Sequence, residues 1–267
     1  MFEVTWEGPV AVVEFSHGKA NEMGTAQLEA LEALCEELVE RSARALVTWS
    51  RKVSRRGTPI FVAGADVLER RGWSEARVEE HVGYQREVLG RVRALPLFHV
   101  TLVHGVALGW GTEFLITADY RLATPTASFA LPETGLGIVP GAGGTTELWT
   151  LIGVPQAMRM GMTGERLDAA EALRIGLVQE VTPDVDAGLE RARELSRGVA
   201  RRSPTSIAAF KAALLGSVGQ PRPRRQELEA RAYAHCLQQG DAAVGRQHFK
   251  AILAGEQAPW GERRLMD

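Results

Sequence analysis

Two glutamates in the middle of the chain, Glu113 and Glu133, each follow a turn that is rich in glycine or proline, and both are flanked by long apolar runs. Val100 to Val106 is β-branched and apolar and predicts a buried strand. It stops at Gly109-Trp110-Gly111, where glycine permits a sharp turn. A helix is expected next, from Thr112 to about Ala118, with Glu113 in its first turn. The unpaired N–H groups and partial positive charge of that first turn suit an oxyanion or enolate. A second unit follows the same logic: Ala127 to Leu131 reads as a short strand, Pro132-Glu133 ends it, and Gly135 and Gly137 keep the next loop compact. Taken singly, a first-turn glutamate can simply answer the helix dipole, and a glutamate after proline can be a solvated loop residue. The apolar and glycine-rich setting of both implies partial enclosure, and enclosed carboxylates need a partner or a job.

The cluster Gly141-Ala142-Gly143-Gly144-Thr145 lacks the lysine of a phosphate-binding loop and does not directly follow a strand, so it reads as a cap for a helix over Thr146 to Ile152. The elements that must hold these residues are legible on either side. Phe2–Trp6 and Val10–Phe15 flank Gly8-Pro9 as a hairpin. After the loop Ser16 to Asn21, a helix from about Thr25 to Ser42 carries an apolar face. Ala45–Trp49 is a strand, and the basic run Arg51 to Arg56 leads to Gly57 and Pro59. Ile60–Ala63 then runs into Gly64-Ala65-Asp66, a strand-to-turn junction where small residues let a ligand approach the backbone. A helix from about Ser74 to Ala94 ends before Pro96. Asp168 and Glu171 open a helix that Gly176 closes ahead of a strand over Leu177–Val181. Beyond it only helices are expected: Asp186 to Arg201, one begun by Ser203-Pro204, Arg224 to Gln239, and a last one capped by Asp241.

With 267 residues, 45% hydrophobic and 24% charged, the chain has the composition of a globular protein with a substantial core. A net charge of -2 argues against nucleic acid as the main partner. No run approaches a membrane span and no export segment is visible, so a cytoplasmic protein is expected. Cys35 and Cys236 are the only cysteines, too few and too separated for a disulfide framework or a thiolate metal site.

Four stretches, PIFVAGADVLER (Pro59 to Arg70), HGVALGWGTEF (His104 to Phe114), FALPETGLGIVPGAGGTTEL (Phe129 to Leu148) and MTGERLDAAEALRIGLVQEV (Met162 to Val181), together resemble the enoyl-CoA hydratase/isomerase family, the crotonases, and the likeness runs from about Val4 to Trp260. The resemblance implies an α/β spiral core of repeated strand-strand-helix units over residues 1–195 and a helical oligomerisation region over 196–267. It implies a homotrimer or a dimer of trimers. It also implies hydration of a 2-enoyl-CoA, with Glu113 activating water and Glu133 delivering a proton to the α-carbon. The backbone N–H groups of Ala65 and Trp110 would form an oxyanion hole. Lys19, Ala20, Ala63, Ala65, Asp66, Val67, Leu68 and Gly111 would lie along the CoA thioester. No metal or separate cofactor is expected, since CoA arrives within the substrate, and fatty-acid metabolism is the implied setting. Trp110 departs from the glycine that most members carry, so its indole either borders the acyl pocket or packs in the core. The 51–56 run is longer than the family's usual connection and could meet CoA phosphates, an RNA or nothing. Within the fold, a 3-enoyl/2-enoyl isomerase or an acyl-thioester decarboxylase stands as the alternative. From a different class, an RNA-binding or structural member does.

Overall fold

The computed structural model describes residues 2–266. Its strands divide between two sheets, because the strand segments come in consecutive pairs and the chain changes direction between the two members of each pair. The larger sheet takes β1 (Phe2–Glu7), β2 (Val10–Phe15), β3 (Ala45–Trp49), β5 (Phe98–Val103), β7 (Tyr120–Ala123) and β10 (Glu180–Val181), in the order β1-β2-β3-β5-β7-β10. The smaller takes β4 (Ile60–Val62), β6 (Val106–Leu108), β8 (Ser128–Ala130) and β9 (Leu167–Asp168), in the order β4-β6-β8-β9. The β1–β2 hairpin and the β8–β9 pair are antiparallel, and every other pairing is parallel. Thus β3 hands over to β4, β5 to β6 and β7 to β8, and each turn of the chain adds one strand to each sheet. That is the expected spiral, generated without any visible sequence repeat.

The continuous strand expected over Val100–Val106 is two strands in two sheets. The break falls at His104-Gly105, where Gly105 has φ 88° and a Cβ would stand 2.1 Å from the Pro59 carbonyl. Pro59 O accepts the Val106 N–H at 3.0 Å, so backbone contact with the neighbouring spiral turn forces the corner. The 51–59 connection is itself a small hairpin, with Val53 bridged to Pro59 and the Ser54 N–H donating to Thr58 O at 2.8 Å. In it Arg51 pairs with Asp186 at 2.6 Å and lies over the Trp49 ring, while Arg55 and Arg56 face solvent.

Helices cover what the sheets leave apolar. Helix α1 (Thr25–Glu40) buries Leu28, Leu31, Leu34, Cys35 and Leu38. Helix α2 (Glu75–Ala94) starts at Ser74, whose side chain accepts the Arg77 N–H, and stops ahead of Pro96 as steric exclusion requires. The short α3 (Trp110–Ile116) follows β6 and is wholly buried. Helix α4 (Leu148–Thr163) contains a break at Gly153 (φ 77°, ψ 158°) ahead of Pro155, so the segment expected to end at Ile152 does end there and a second one resumes. Helix α5 (Ala169–Arg174) has the expected Asp168 cap, and Asp184 caps α6 (Val185–Ala200).

Alternation along the large sheet makes two cores. Ala11, Val13, Leu46 and Val103 face the main core shared with the small sheet. Val10, Val12, Val47, Val100 and Leu102 face α6 through Leu189, Ala192 and Ala200. Position 195 lies within α6, so the backbone is continuous across the 195/196 boundary, and α6 belongs to the sheet it covers. The tail proper is α7 (Pro204–Ser217), α8 (Arg222–Gln238), α9 (Asp241–Gln247) and α10 (Phe249–Leu253). Ser203 caps α7 as expected. Asp241 does not cap α9 through its side chain; it is the first helical residue, and its buried carboxylate accepts the Ser203 hydroxyl. Lys211, buried on α7, ties the tail to the core through Leu97 O at 3.1 Å and Asp119 at 2.8 Å. Among the described residues, no helix is long and apolar enough to cross a membrane.

Candidate active site

Two backbone corners come together first. Gly64 has φ 120°, and a Cβ on it would touch Leu108 O at 3.5 Å, so the turn after β4 lies against the end of β6. Ala65 is bridged to Met23, but that bridge uses Gly64 O (3.0 Å) and the Asp66 N–H (2.8 Å), leaving the Ala65 N–H without a protein acceptor. On the facing corner Gly109 adopts φ 49°, ψ -118°, and its own N–H donates to Ala130 O at 2.9 Å. The next N–H, that of Trp110, opens α3 and has no intrahelical acceptor. Both expected oxyanion donors are therefore free backbone N–H groups on adjoining turns.

Glu113, one helical turn on, is only 4% exposed. Its Oε1 accepts the Ala142 N–H at 2.7 Å and the Gly144 N–H at 3.0 Å. Burial leaves its pKa raised, and the two backbone donors together with the nearby Arg86 charge offset only part of that rise. The 141–145 loop expected as a helix cap thus performs a different task. No side chain caps α4, and the loop's N–H groups are spent on a carboxylate, as runs of backbone donors in glycine-rich turns commonly are on anions. A Cβ on Gly144 would lie 2.6 Å from Pro140 and 3.3 Å from the Glu113 carboxylate, which explains the bare backbone there.

Glu133 begins a 3-10 turn, Glu133–Leu136, after Pro132. Its carboxyl group lies over Gly109, where a Cβ would come within 2.7 Å of Oε1. Oε2 is buried without a hydrogen-bond partner. Burial raises the Glu133 pKa to about 7, against the pull of a hydrogen bond from its own backbone N–H and with the Glu113 charge adding to the rise. The two carboxyl groups consequently flank the same corner in unequal surroundings, one held by two backbone donors of another loop and the other by no more than its own backbone N–H, with Oε2 unpartnered.

The other expected contacts fall into two groups. Lys19 is exposed and Ala20 is half-buried, with Ala20 O accepting the Ala63 N–H at 3.1 Å, so the 16–22 loop runs beside Ala63 to Leu68. Asp66 folds this segment into a turn by accepting the Leu68 and Glu69 N–H groups at 3.0 and 3.2 Å. Val67 and Leu68 are 60% and 61% exposed on its outer face. Gly111, by contrast, is buried against β4: a Cβ would lie 2.2 Å from Val62 O, so its part is close helix-to-strand packing rather than surface contact. Trp110 also turns inward. Its indole is 2% exposed, stacks on Phe114 with centroids 5.5 Å apart and belongs to the main core. Core packing therefore accounts for the ring, although its Nε1 is buried without a hydrogen-bond partner, while the backbone N–H remains at the corner.

Sequence reasoning passed over Asn21. It is fully buried at φ 55°, its Nδ2 donates to Phe15 O, Ser50 Oγ and Phe61 O at 2.8–3.1 Å, and its Oδ1 accepts the His17 N–H at 2.9 Å. This residue pins the Lys19–Ala20 loop to the end of β4. The signal available was asparagine's tolerance of left-handed backbone in a short loop.

The chain is similar to known proteins along most of its length. The family model for enoyl-CoA hydratase/isomerase matches residues 15–262. The short-chain-enoyl-CoA hydratase of Clostridium acetobutylicum is 30% identical over 88% of this chain and 88% of its own. An enoyl-CoA isomerase/hydratase of Mycosarcoma maydis is 35% identical over 76% of each chain. The crystal structure of an enoyl-CoA hydratase from Bacillus anthracis superposes with a TM-score of 0.88, at 31% identity, over 97% of this chain and 98% of that one.

Replacing Trp110 with alanine is expected to destabilise the protein by about 3–5 kcal/mol, the usual cost of truncating a buried aromatic residue. Urea unfolding measures it. A loss below about 1 kcal/mol, accompanied by a changed preference among acyl chains, would instead put the indole in the substrate pocket.

Proposed function

Since the chain belongs to the enoyl-CoA hydratase/isomerase family, we propose that it adds water across the double bond of a 2-enoyl-CoA, giving a 3-hydroxyacyl-CoA. The observation that carries this reading is the unequal environment of the two glutamates. An α,β-unsaturated thioester accepts water at its β-carbon only if the charge developing on the thioester oxygen is stabilised. The free N–H groups of Ala65 and Trp110 suit that oxygen, each contributing about 3 kcal/mol in the transition state. Glu113, held by the Ala142 and Gly144 N–H groups, is the ionised member and takes the proton from water. Glu133, with a pKa of about 7 and no donor on Oε2, is the protonated member and gives its proton to the α-carbon. Binding geometry, two carboxyl groups and two dipoles suffice for the chemistry. The CoA portion would leave along Lys19, Ala20, Val67 and Leu68.

The roles predict a pH profile. Hydration needs Glu133 protonated, so turnover should fall as pH rises through about 7, and it needs Glu113 ionised, so turnover should also fall on the acid side. Glu113→Gln and Glu133→Gln should each lower turnover by about 10²-fold or more while thioester binding persists, and Glu133→Gln should lose the alkaline limb. Loss of the conjugated thioester's ultraviolet absorbance reports the reaction. Full activity in Glu113→Gln would assign the acid-base work to Glu133 alone and favour isomerisation of a 3-enoyl-CoA. Release of carbon dioxide with no hydration would favour a decarboxylase.

The tail suggests assembly. Phe210 and Leu214 on α7 and Tyr233 and Leu237 on α8 are 46–70% exposed, an apolar surface larger than a solitary chain usually leaves open. Together with the family resemblance this supports a homotrimer or a dimer of trimers. Sedimentation equilibrium at micromolar concentration should return one of those masses, and a stable monomer would contradict it.

A further inference from the structure

The turn that carries Ala65 has two faces. Val67 and Leu68 point outward, and Arg70 is half-buried on the inner side, in a wedge between this turn, the start of α1 and the first turns of α2. The wedge is tightly built. Glu69 Oε2 accepts the Thr25 N–H at 2.9 Å, the Thr25 hydroxyl is 3.2 Å from His81 Nε2, and the His81 ring meets Trp73 edge-on at 5.2 Å. Arg70 is close enough to His81 for its charge to lower the histidine's pKa, behind the larger effect of burial.

Four buried nitrogens in this region have no acceptor: Arg70 Nε and Nη2, His81 Nδ1, and Gln85 Nε2, which lies one helical turn beyond His81 on the same face of α2. His81 and Gln85 are 8% and 4% exposed. The Arg70 and Gln85 nitrogens are donors in any state, and His81 Nδ1 is one in the tautomer whose Nε2 accepts from the Thr25 hydroxyl. The nearby carboxylates make their hydrogen bonds elsewhere, Glu69 with Thr25 and Asp66 with its own turn, while both act on Arg70 through their charge alone. Trp110 Nε1, His17 Nδ1, His99 Nδ1 and Ser196 Oγ are also buried without partners, but singly; a half-buried guanidinium with two enclosed nitrogens and two further buried side chains gathered in one place ask for a partner from outside the chain.

The location says where that acceptor comes from. The neighbouring face of α2 touches the loop that clasps Glu113: Val82 packs where a Cβ of Gly141 would be, and Arg86 Nε donates to Gly141 O at 3.0 Å. The wedge therefore lies between the turn that offers the Ala65 N–H and the loop that holds Glu113, on the inner side of the turn, opposite the exposed Val67–Leu68 face. An acyl chain whose thioester sits at Ala65 and which follows the inner side of the turn would meet it. We propose that the acyl group bound here carries a carboxylate at its far end, received by Arg70 with Gln85 and His81 as flanking donors. An all-apolar tail would leave every one of these donors unanswered, whereas a carboxylate's two oxygens match a guanidinium. The nitrogens are closed off from solvent in the free chain, so entry requires the exposed outer edge of the turn, Val67, Leu68, Arg71 and Gly72, to give way. The inference rests on the reading of Ala65 and Trp110 as the thioester's donors.

Saturated thioesters separate it from the question of turnover. Calorimetric titration of the wild-type protein with glutaryl-CoA and adipoyl-CoA, against pentanoyl-CoA and hexanoyl-CoA, should show at least one dicarboxylic member binding about tenfold or more tighter than its apolar counterpart. Arg70→Met should abolish that ratio and Arg70→Lys should retain part of it. Equal or tighter binding of the apolar thioester at both lengths, or an unchanged ratio in Arg70→Met, overturns the inference while leaving the hydratase reading intact. Absence of binding by all four thioesters would overturn both.

Discussion

The pair of hydrogen bonds from the Ala142 and Gly144 N–H groups to Glu113 Oε1 is the contact on which the rest of the site depends. A carboxylate that is 4% exposed is tolerated only with donors, and these come from a loop that must therefore be glycine-rich and closely folded. Anchoring that loop fixes Gly141 against Val82 and Arg86, which positions α2, while Glu113 itself hangs from the corner at Gly109 over which Glu133 lies. The charge held at Glu113 then helps to keep the proton on Glu133. One buried carboxyl group thus shapes the loop, orients a helix and lies beside the second carboxyl group.

Much of this scaffold can be read from the residues. Ala45–Trp49 is apolar but for Thr48, whose hydroxyl meets His99, because the strand is buried on both faces, and α2 is bracketed by Ser74 and Pro96, each with a local physical effect. The junction at Gly64 and the corner at Gly109 were marked by glycines that do adopt positive φ. Local signals failed where a distant backbone decides. The run Val100–Val106 looks continuous, yet Pro59 from the adjacent spiral turn makes it bend at Gly105. The N–H groups of residues 141–145 could equally have capped a helix, and only the fold brings Glu113 beneath them. Trp110 offered two readings because its backbone and its indole serve different places, the corner and the core.

The polar groups that nothing in sequence flagged are the informative ones. Asn21 satisfies three carbonyl or hydroxyl oxygens and fixes the loop beside Ala63, a structural use of a buried amide. Arg70, His81 and Gln85 show the converse, donors without acceptors next to the reactive corner. The contrast between a satisfied and an unsatisfied cluster in one small region separates residues that complete the fold from residues that face what the fold is meant to hold.

The central claim is that the two glutamates occupy opposite protonation states near neutral pH, and carboxyl carbon-13 NMR of protein labelled at glutamate Cδ reads it directly. The account predicts one resonance titrating near pH 7, well above the ordinary carboxylate range, that is absent from Glu133→Gln and persists in Glu113→Gln, shifted to lower pH by loss of the neighbouring charge. Titration of every glutamate below about pH 5, or loss of the resonance in Glu113→Gln instead, would contradict it.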